Sequence, residues 1–430
     1  MKNLSILFVA YYYPPPDHLI GAARPYRFAK YLERMGHRIT ILAASTGAKT
    51  EVNGNVHRLR TEDDFLLRPD PHFPTRVIRK FLWWDIGYFW TLRAALYGRR
   101  LVRSARPSVI ISTSPPLATH FVALWLKKRF GLPWIADFRD PFVGHRKSRN
   151  NLWLDPRIEA MFFRNADLVI ANTEQAAEIW RRGYPEMRER IVTIWNGFDP
   201  EEAMGPLPLP DRSRKLLTHV GSIYEDRNPG VLLRSLDRLI QSERLSPSAI
   251  RVDLTGHTDR EALSELEIVD RLQTLGCLTL TPKVSRKEAQ RIMATSDYLL
   301  LLDVFTGRQT IQLPGKTFEY VRIGRPVLAC TMRDSPLEGV LRHSGIDHVM
   351  LHDTDSSETV DEKVLQFLSL PTEPREAHEQ FRNMFDGARQ SVYLSGLVEE
   401  LARHSTGLHR DRSNRSAPKR TQVSGADGAE

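Results

Sequence analysis

The residues best suited to chemistry lie between Asp303 and Cys330, in the stretch DVFTGRQTIQLPGKTFEYVRIGRPVLAC. An apolar run, Tyr298–Leu302, precedes it, and another, Pro326–Cys330, ends it. Between them Pro314-Gly315-Lys316 opens a short helix. A glycine there leaves backbone N–H groups free at the positive end of the helix dipole, which is a place to hold phosphate. Lys316 adds a point charge. Glu319, one turn on, can accept from the hydroxyls of a ribose. A plain loop followed by a solvated Lys–Glu pair fits the same residues, so the rest of the chain must decide.

Other candidates also follow apolar runs. After Leu216–Val220 comes GSIYEDR, where Gly221 allows close approach and Arg227 is placed for phosphate. After Leu278–Thr281, the loop holding Val284 offers backbone groups to a base edge. After Leu4–Ala10, a proline-rich loop ends at Gly21-Ala22-Ala23, a small-residue helix start that a phosphate or sugar can approach. Arg24 and Arg27 follow and suit that role or plain surface charge equally. The glycines do not make GxGxxG, so a dinucleotide fingerprint is absent. After Trp134–Ala136 come Asp137, Arg139 and Asp140, two carboxylates flanking an arginine. Buried and unpaired they would be costly, so they must pair internally or touch substrate hydroxyls. His120 sits inside a helical segment and reads as structural, as does the turn Trp195–Asp199.

The elements that position these residues alternate. Strands at 4–10, 38–43, 109–112, 134–136, 168–171 and 191–194 are near-continuously apolar, and helical segments such as 22–35, 117–130 and 174–182 separate most of them. That pattern predicts a parallel sheet covered on both faces, a doubly wound α/β domain over residues 1–199. Residues 200–214 (PEEAMGPLPLPDRSR) lack periodicity and read as a linker. The alternation restarts in a second doubly wound domain, 215–385, followed by a closing helix at 386–403. The polar tail 404–430 is expected to be disordered. Two such domains face each other across a cleft, with ligands at the C-terminal ends of the strands.

Together, ILFVAYYYPPP…GAARPYRFAKYLERMGHRITIL, PWIADFRDPF, ADLVIANTE, TIWNGFD, THVGSIY…R and LPGKTFEYVRIGRPVLA resemble glycosyltransferase family 4, of bacterial cell-surface polysaccharide type. The resemblance covers roughly residues 4–400 and implies the GT-B fold and sugar transfer with retention. It implies that the Gly21-Ala22 loop, with Arg24 beside it, faces acceptor and donor phosphate. It places Gly221, Arg227, Gly315 and Lys316 at the diphosphate, Glu319 at the ribose and backbone near Val284 at the nucleobase. Arg139 stands where many members carry a histidine beside the reacting sugar, so Asp137, Arg139 and Asp140 become the catalytic candidates, with Asp137 or Asp140 orienting the acceptor. The family's Glu-x7-Glu motif would begin at position 311, which is Ile311 here. With Arg227 and Lys316 present, no obligatory metal and no cofactor are expected.

The chain has 430 residues, a net charge of +9 and two cysteines, Cys277 and Cys330, without metal-ligand spacing. Free buried thiols in a reducing, cytoplasmic setting fit this usage. The N-terminus reads as a strand rather than a signal peptide, and no apolar run is long enough to span a bilayer. The segment 76–106 holds eight Arg/Lys and one Asp among Phe81, Trp83, Trp84, Tyr88, Phe89 and Trp90. It suits an anionic membrane surface, where a lipid-linked acceptor would be met, or else the aromatics are core and the arginines solvated. No nucleic-acid module is visible and the cations are scattered. The expected partners are therefore a nucleotide-sugar and a glycan or lipid-linked acceptor. The competing readings are a sugar-nucleotide epimerase and a non-catalytic GT-B-like binding protein.

Overall fold

The computed structural model describes residues 3–14, 21–45, 49–61, 87–140, 143, 154–202, 204–210, 213–224, 227–258, 263, 265–305 and 311–415. The first domain is built on β1 (Ser5–Ala10), β2 (Arg38–Ser45), β3 (Glu51–Asn53), β4 (Val56–Arg60), β5 (Val109–Ser114), β6 (Trp134–Phe138), β7 (Leu168–Ala171) and β8 (Ile191–Thr193). They form one sheet in the order β3-β4-β2-β1-β5-β6-β7-β8. All pairings are parallel except β3 with β4. The β3–β4 ribbon is an addition to the sequence expectation; β3 is exposed and polar, so no apolar run marks it.

Along β1 the side chains alternate between two apolar clusters. Leu7 and Val9 face α2 (Tyr88–Ala105), α3 (Ala118–Phe130), α4 (Asp155–Asn165) and α5 (Glu174–Gly183). Ile6, Phe8 and Ala10 face α1 (Ala23–Arg34) and the C-terminal helix. This period of two, buried on both sides, is why the strands read as continuous apolar runs.

The second domain repeats the plan with β9 (Lys215–Val220), β10 (Ile250–Thr255), β11 (Leu278–Thr281), β12 (Tyr298–Leu302), β13 (Val327–Thr331) and β14 (His348–His352). Their order is β11-β10-β9-β12-β13-β14, all parallel. Between them run α6 (Gly230–Gln241), α7 (Leu266–Thr274), α8 (Arg286–Ala294), α9 (Lys316–Ile323), α10 (Pro336–Ser344) and α11 (Ser357–Leu368). Cys277 and Cys330 are both buried and free.

Two helices close the chain, α12 (Glu379–Phe385) and α13 (Gly387–Arg415). The second runs past residue 403, where the sequence placed the start of a disordered tail; residues after 415 lie outside the described residues. Phe381 and Phe385 stay in the second domain's core, while Leu394, Val398 and Ala402 pack under the first sheet. His37 Nε2 and Ser395 Oγ, 2.7 Å apart, add a polar tie. The chain thus crosses back to the first domain. It does so beside the outward crossing: Phe198 N donates to Phe385 O at 3.0 Å, and Gly387 N to Phe198 O at 2.9 Å. The linker is fastened too, since Leu207 N donates to Ala294 O and Leu207 O accepts from Arg325.

The core role of α13 is testable by urea unfolding. Leu394→Ala should cost about 2–5 kcal/mol, while Tyr393→Ala, at an exposed neighbouring position, should cost under about 1 kcal/mol.

Candidate active site

In each sheet the strand order reverses once, between β1 and β5 and between β9 and β12. Loops leaving the sheet on either side of such a switch point diverge and open a crevice. The loops after β1, β9 and β12 carry Gly21, Gly221, Arg227 and Lys316, so topology brings these to the cleft; Asp137–Asp140 lie at the end of β6 and Val284 follows β11.

In the second domain, α9 starts at Gly315 with no side-chain cap. A Cβ at Gly315 would meet nothing within 4 Å, so the space above this helix start is open. Lys316 Nζ lies 2.5 Å from Glu319 Oε2, and both side chains keep solvent exposure. The pair expected for phosphate and ribose is here bonded to itself. Across the switch point, Arg227 rests on the Tyr224 hydroxyl at 3.2 Å and lies 3.8 Å from Asp303 Oδ1. Asp303 is fully buried at the end of β12. Burial pushes its carboxyl up to about 6, against the pull of Arg227, the Val304 N–H and the Thr331 hydroxyl. Val284 lies between β11 and α8, half-buried against the apolar cluster of Val220 and Met293.

Two buried groups beneath this loop were not singled out from sequence. Tyr320 hydroxyl accepts from Val220 N at 3.1 Å and locks α9 to β9. His219 Nδ1 lies 3.0 Å from Leu300 O; a carbonyl only accepts, so Nδ1 carries the proton. Its Nε2 is buried without a hydrogen-bond partner. A Cβ at Gly221 would lie 2.9 Å from that nitrogen, so glycine at 221 lets the loop rest on the imidazole. Burial, with the charges of Lys316 and Arg227, pushes His219 down to about 4, outweighing the Leu300 bond. The period-two pattern hides such a residue, because it occupies an ordinary core position of a strand.

In the first domain the candidates are less available to a ligand. Asp137 and Arg24 are both buried and joined by two hydrogen bonds, Nη2 to Oδ1 at 2.8 Å and Nε to Oδ2 at 3.1 Å. Thr113 hydroxyl donates to the same carboxylate at 2.7 Å. Burial would raise the Asp137 carboxyl, but Arg24 and Thr113 outweigh it and hold it below the usual range. Arg24 also donates to Ile194 O and Trp195 O. Asp137 therefore holds an internal ion pair rather than substrate hydroxyls, and its partner is Arg24 rather than the neighbouring Arg139.

Arg139 is buried and donates to Ser114 O at 2.8 Å, Pro115 O at 2.9 Å and Gly21 O. Gly21 has φ +90°, and a Cβ there would collide with the Arg139 guanidinium. Ala22, buried, caps the start of α1 without a side-chain bond. Asp140 is exposed, and Gln312 Nε2 donates to its Oδ1 at 2.8 Å from the other domain. Beside it, Ile311 packs into the first domain's apolar cluster, and its carbonyl accepts from Thr173 Oγ1 at 2.6 Å. Position 311 is thus a contact between domains. His120 is fully buried among Phe138, Phe162 and Trp134 and bonded to Ser112, as a core histidine. Among the described residues, no group of three His, Cys, Asp or Glu is placed to share a metal ion.

The profile of Glycosyltransferase Family 4 matches residues 23–202, from α1 to the crossing point. That match spans most of the first domain. No curated protein sequence matches the chain. Solved structures share the architecture of both domains. Sucrose-phosphate synthase from Thermosynechococcus elongatus aligns at TM-score 0.62 and 13% identity, covering 96% of this chain and 100% of that one. The lipopolysaccharide outer core galactosyltransferase WaaB aligns at 0.58 and 12%, covering 92% and 99%. The UDP-GlcNAc 2-epimerase from Methanocaldococcus jannaschii aligns at 0.52 and 11%, covering 92% and 100%. At these identities the likeness establishes the fold, which is GT-B.

Two variants test the site's framework. Asp137→Asn or Arg24→Met should each cost about 3–5 kcal/mol in urea unfolding, because each leaves a buried charge unpaired; the double variant Arg24→Met/Asp137→Leu should recover part of it. His219 binds its proton more weakly folded than unfolded. Its stabilising contribution is complete above pH 6.5 and is lost as pH falls toward about 4, by at most about 3 kcal/mol. His219→Gln should flatten that part of the wild-type stability–pH curve.

Proposed function

We propose that this chain transfers a sugar from a nucleoside-diphosphate donor to an acceptor hydroxyl, with retention, in building a cell-envelope glycan or its lipid-linked precursor. The observation that carries the reading is the open, uncapped start of α9 at Gly315, with Lys316 on it and Arg227 across the switch point. Two cations and a helix N-terminus converge where a diphosphate would develop charge as it leaves. Gly221 lets the phosphates approach the backbone over His219. Glu319 would exchange Lys316 for the ribose hydroxyls when donor arrives, which frees Lys316 for phosphate. The backbone at Val284 would meet the base.

The anomeric C–O bond breaks with its electrons passing to the β-phosphate oxygen. The acceptor oxygen attacks from the same face, and its proton passes to that phosphate. Asp140, exposed and bonded to Gln312, would orient the acceptor. Asp137 and Arg139 act further back, holding the Gly21 loop and the start of α1, whose helix dipole also faces the cleft. Cations fixed by the protein take the part that a metal would otherwise play, so no obligatory metal is required. The GT-B likeness extends to an epimerase, which gives the second reading its footing. It requires the same diphosphate site but no acceptor.

A panel of nucleotide-sugars, assayed for nucleoside diphosphate release in the presence of EDTA, tests this. Wild type should cleave at least one donor, faster with a glycan or lipid-linked acceptor. Lys316→Ala and Arg227→Ala should each lower kcat by about 100-fold or more. Normal turnover by Lys316→Ala would remove the phosphate role, and an isomerised nucleotide-sugar formed without acceptor would favour the epimerase.

A further inference from the structure

Helix α2 lies on the outer side of the first domain. Its inward residues, Trp90, Ala94, Leu101 and Val102, belong to the core cluster that also holds Val122, Ala123 and Leu126 of α3. The two helices therefore cover the same face of the sheet. Gly98 sits at their contact, where a Cβ would lie 3.0 Å from Leu126 Cδ1. The opposite side of α2 is apolar along its first half: Leu92 is 66% exposed and Leu96 54%. Their spacing, i and i+4, puts them in one row. Arg99 and Arg103 continue that row, Arg100 flanks it, and all three are exposed. On α3, Trp125 is 38% exposed and is followed by exposed Lys128 and Arg129.

Neither helix contains an acidic residue, in YFWTLRAALYGRRLVRSA or in ATHFVALWLKKRF. Elsewhere on the first domain, exposed arginines meet carboxylates, as Arg34 meets Glu201 and Arg182 meets Glu178. A face of one charge sign with an apolar row between the cations is complementary to a surface that is anionic outside and apolar beneath. We propose that the outer face of α2 and α3 docks on an anionic lipid surface.

Nucleic acid would satisfy the arginines but leave Leu92, Leu96 and Trp125 without an apolar partner. No helix among the described residues is long and apolar enough to cross a membrane, so the helices lie on the surface. The row begins at the cleft side of the domain. There Trp90 Nε1 donates to Ala43 O and Arg93 donates to Arg60 O, at the C-terminal ends of β2 and β4. Docking by this face brings the cleft edge to the lipid headgroups, where a lipid-linked acceptor would present its hydroxyl. That use rests on the transferase reading, whereas the docking itself does not. The aromatics Phe81, Trp83 and Trp84, which sequence also assigned to this surface, lie outside the described residues, and Trp90 proves to be core.

The test is flotation of the full chain with vesicles of phosphatidylcholine alone or mixed with phosphatidylglycerol. Wild type should float with the mixed vesicles only, and added salt should release it. Leu92→Ser/Leu96→Ser and Arg99→Ser/Arg100→Ser/Arg103→Ser should each lower the partition coefficient by about tenfold or more. Both should retain wild-type donor cleavage in solution, which separates this proposal from the transfer chemistry. Failure to float, equal flotation with neutral vesicles, unchanged flotation of the arginine variant, or binding of a DNA duplex in place of vesicles would each overturn it.

Discussion

The buried carboxylate of Asp137 sets the terms for the first domain. It sits at the end of a central strand where ionisation is costly, and Arg24 supplies the opposite charge. Once Arg24 is turned inward, α1 lies with one side along the segment that leaves the domain. Arg24 takes Ile194 O and Trp195 O, Arg27 takes Gly197 O, Lys30 and Tyr31 take Asp199, and Arg34 takes Glu201. The basic face of one helix is spent on the crossing point. The returning chain at Phe385–Gly387 then pairs beside the same segment. The hinge is a doubled backbone clamped by a ladder of charged side chains.

Between that hinge and the opposite rim lies the cleft. At the rim, Ile311 and Gln312 reach from the second domain to Thr173, the first domain's core and Asp140. The diphosphate candidates sit between the two attachments, with His219 and Tyr320 supporting them from below. The support is neutral or hydrogen-bonded, and the charges are left near the open side. The two cations meet their carboxylates in the same layer, Lys316 at Glu319 and Arg227 at Asp303.

Strand positions and the two-domain plan were legible because both faces of each sheet are covered, so that strands appear as unbroken apolar runs such as YLLLL at Tyr298–Leu302. The loops after β9 and β12 were legible for a related reason: glycine and proline punctuate them and cations follow. The pairing of Asp137 was hidden. Its sequence neighbour Arg139 was the obvious partner, but that side chain turns to carbonyls of Ser114, Pro115 and Gly21, and the true partner is remote in sequence. Helix α10 carries a local start signal in Ser335 and Glu338: Ser335 Oγ accepts from Glu338 N, and the Glu338 carboxylate accepts from Asp334 N, one residue before the cap. The role of position 311 could not be read locally, since an isoleucine in a polar loop acquires meaning only from the domain opposite.

Ile311 gives the cleft a thermal character of its own. A fully buried isoleucine is worth about 1.5–3 kcal/mol relative to exposure. Opening the rim returns that surface to water, a step with a positive heat-capacity change. Apolar contact weakens on cooling, so the share of the rim carried by Ile311 falls in the cold and more of it rests on the Thr173 and Gln312 hydrogen bonds.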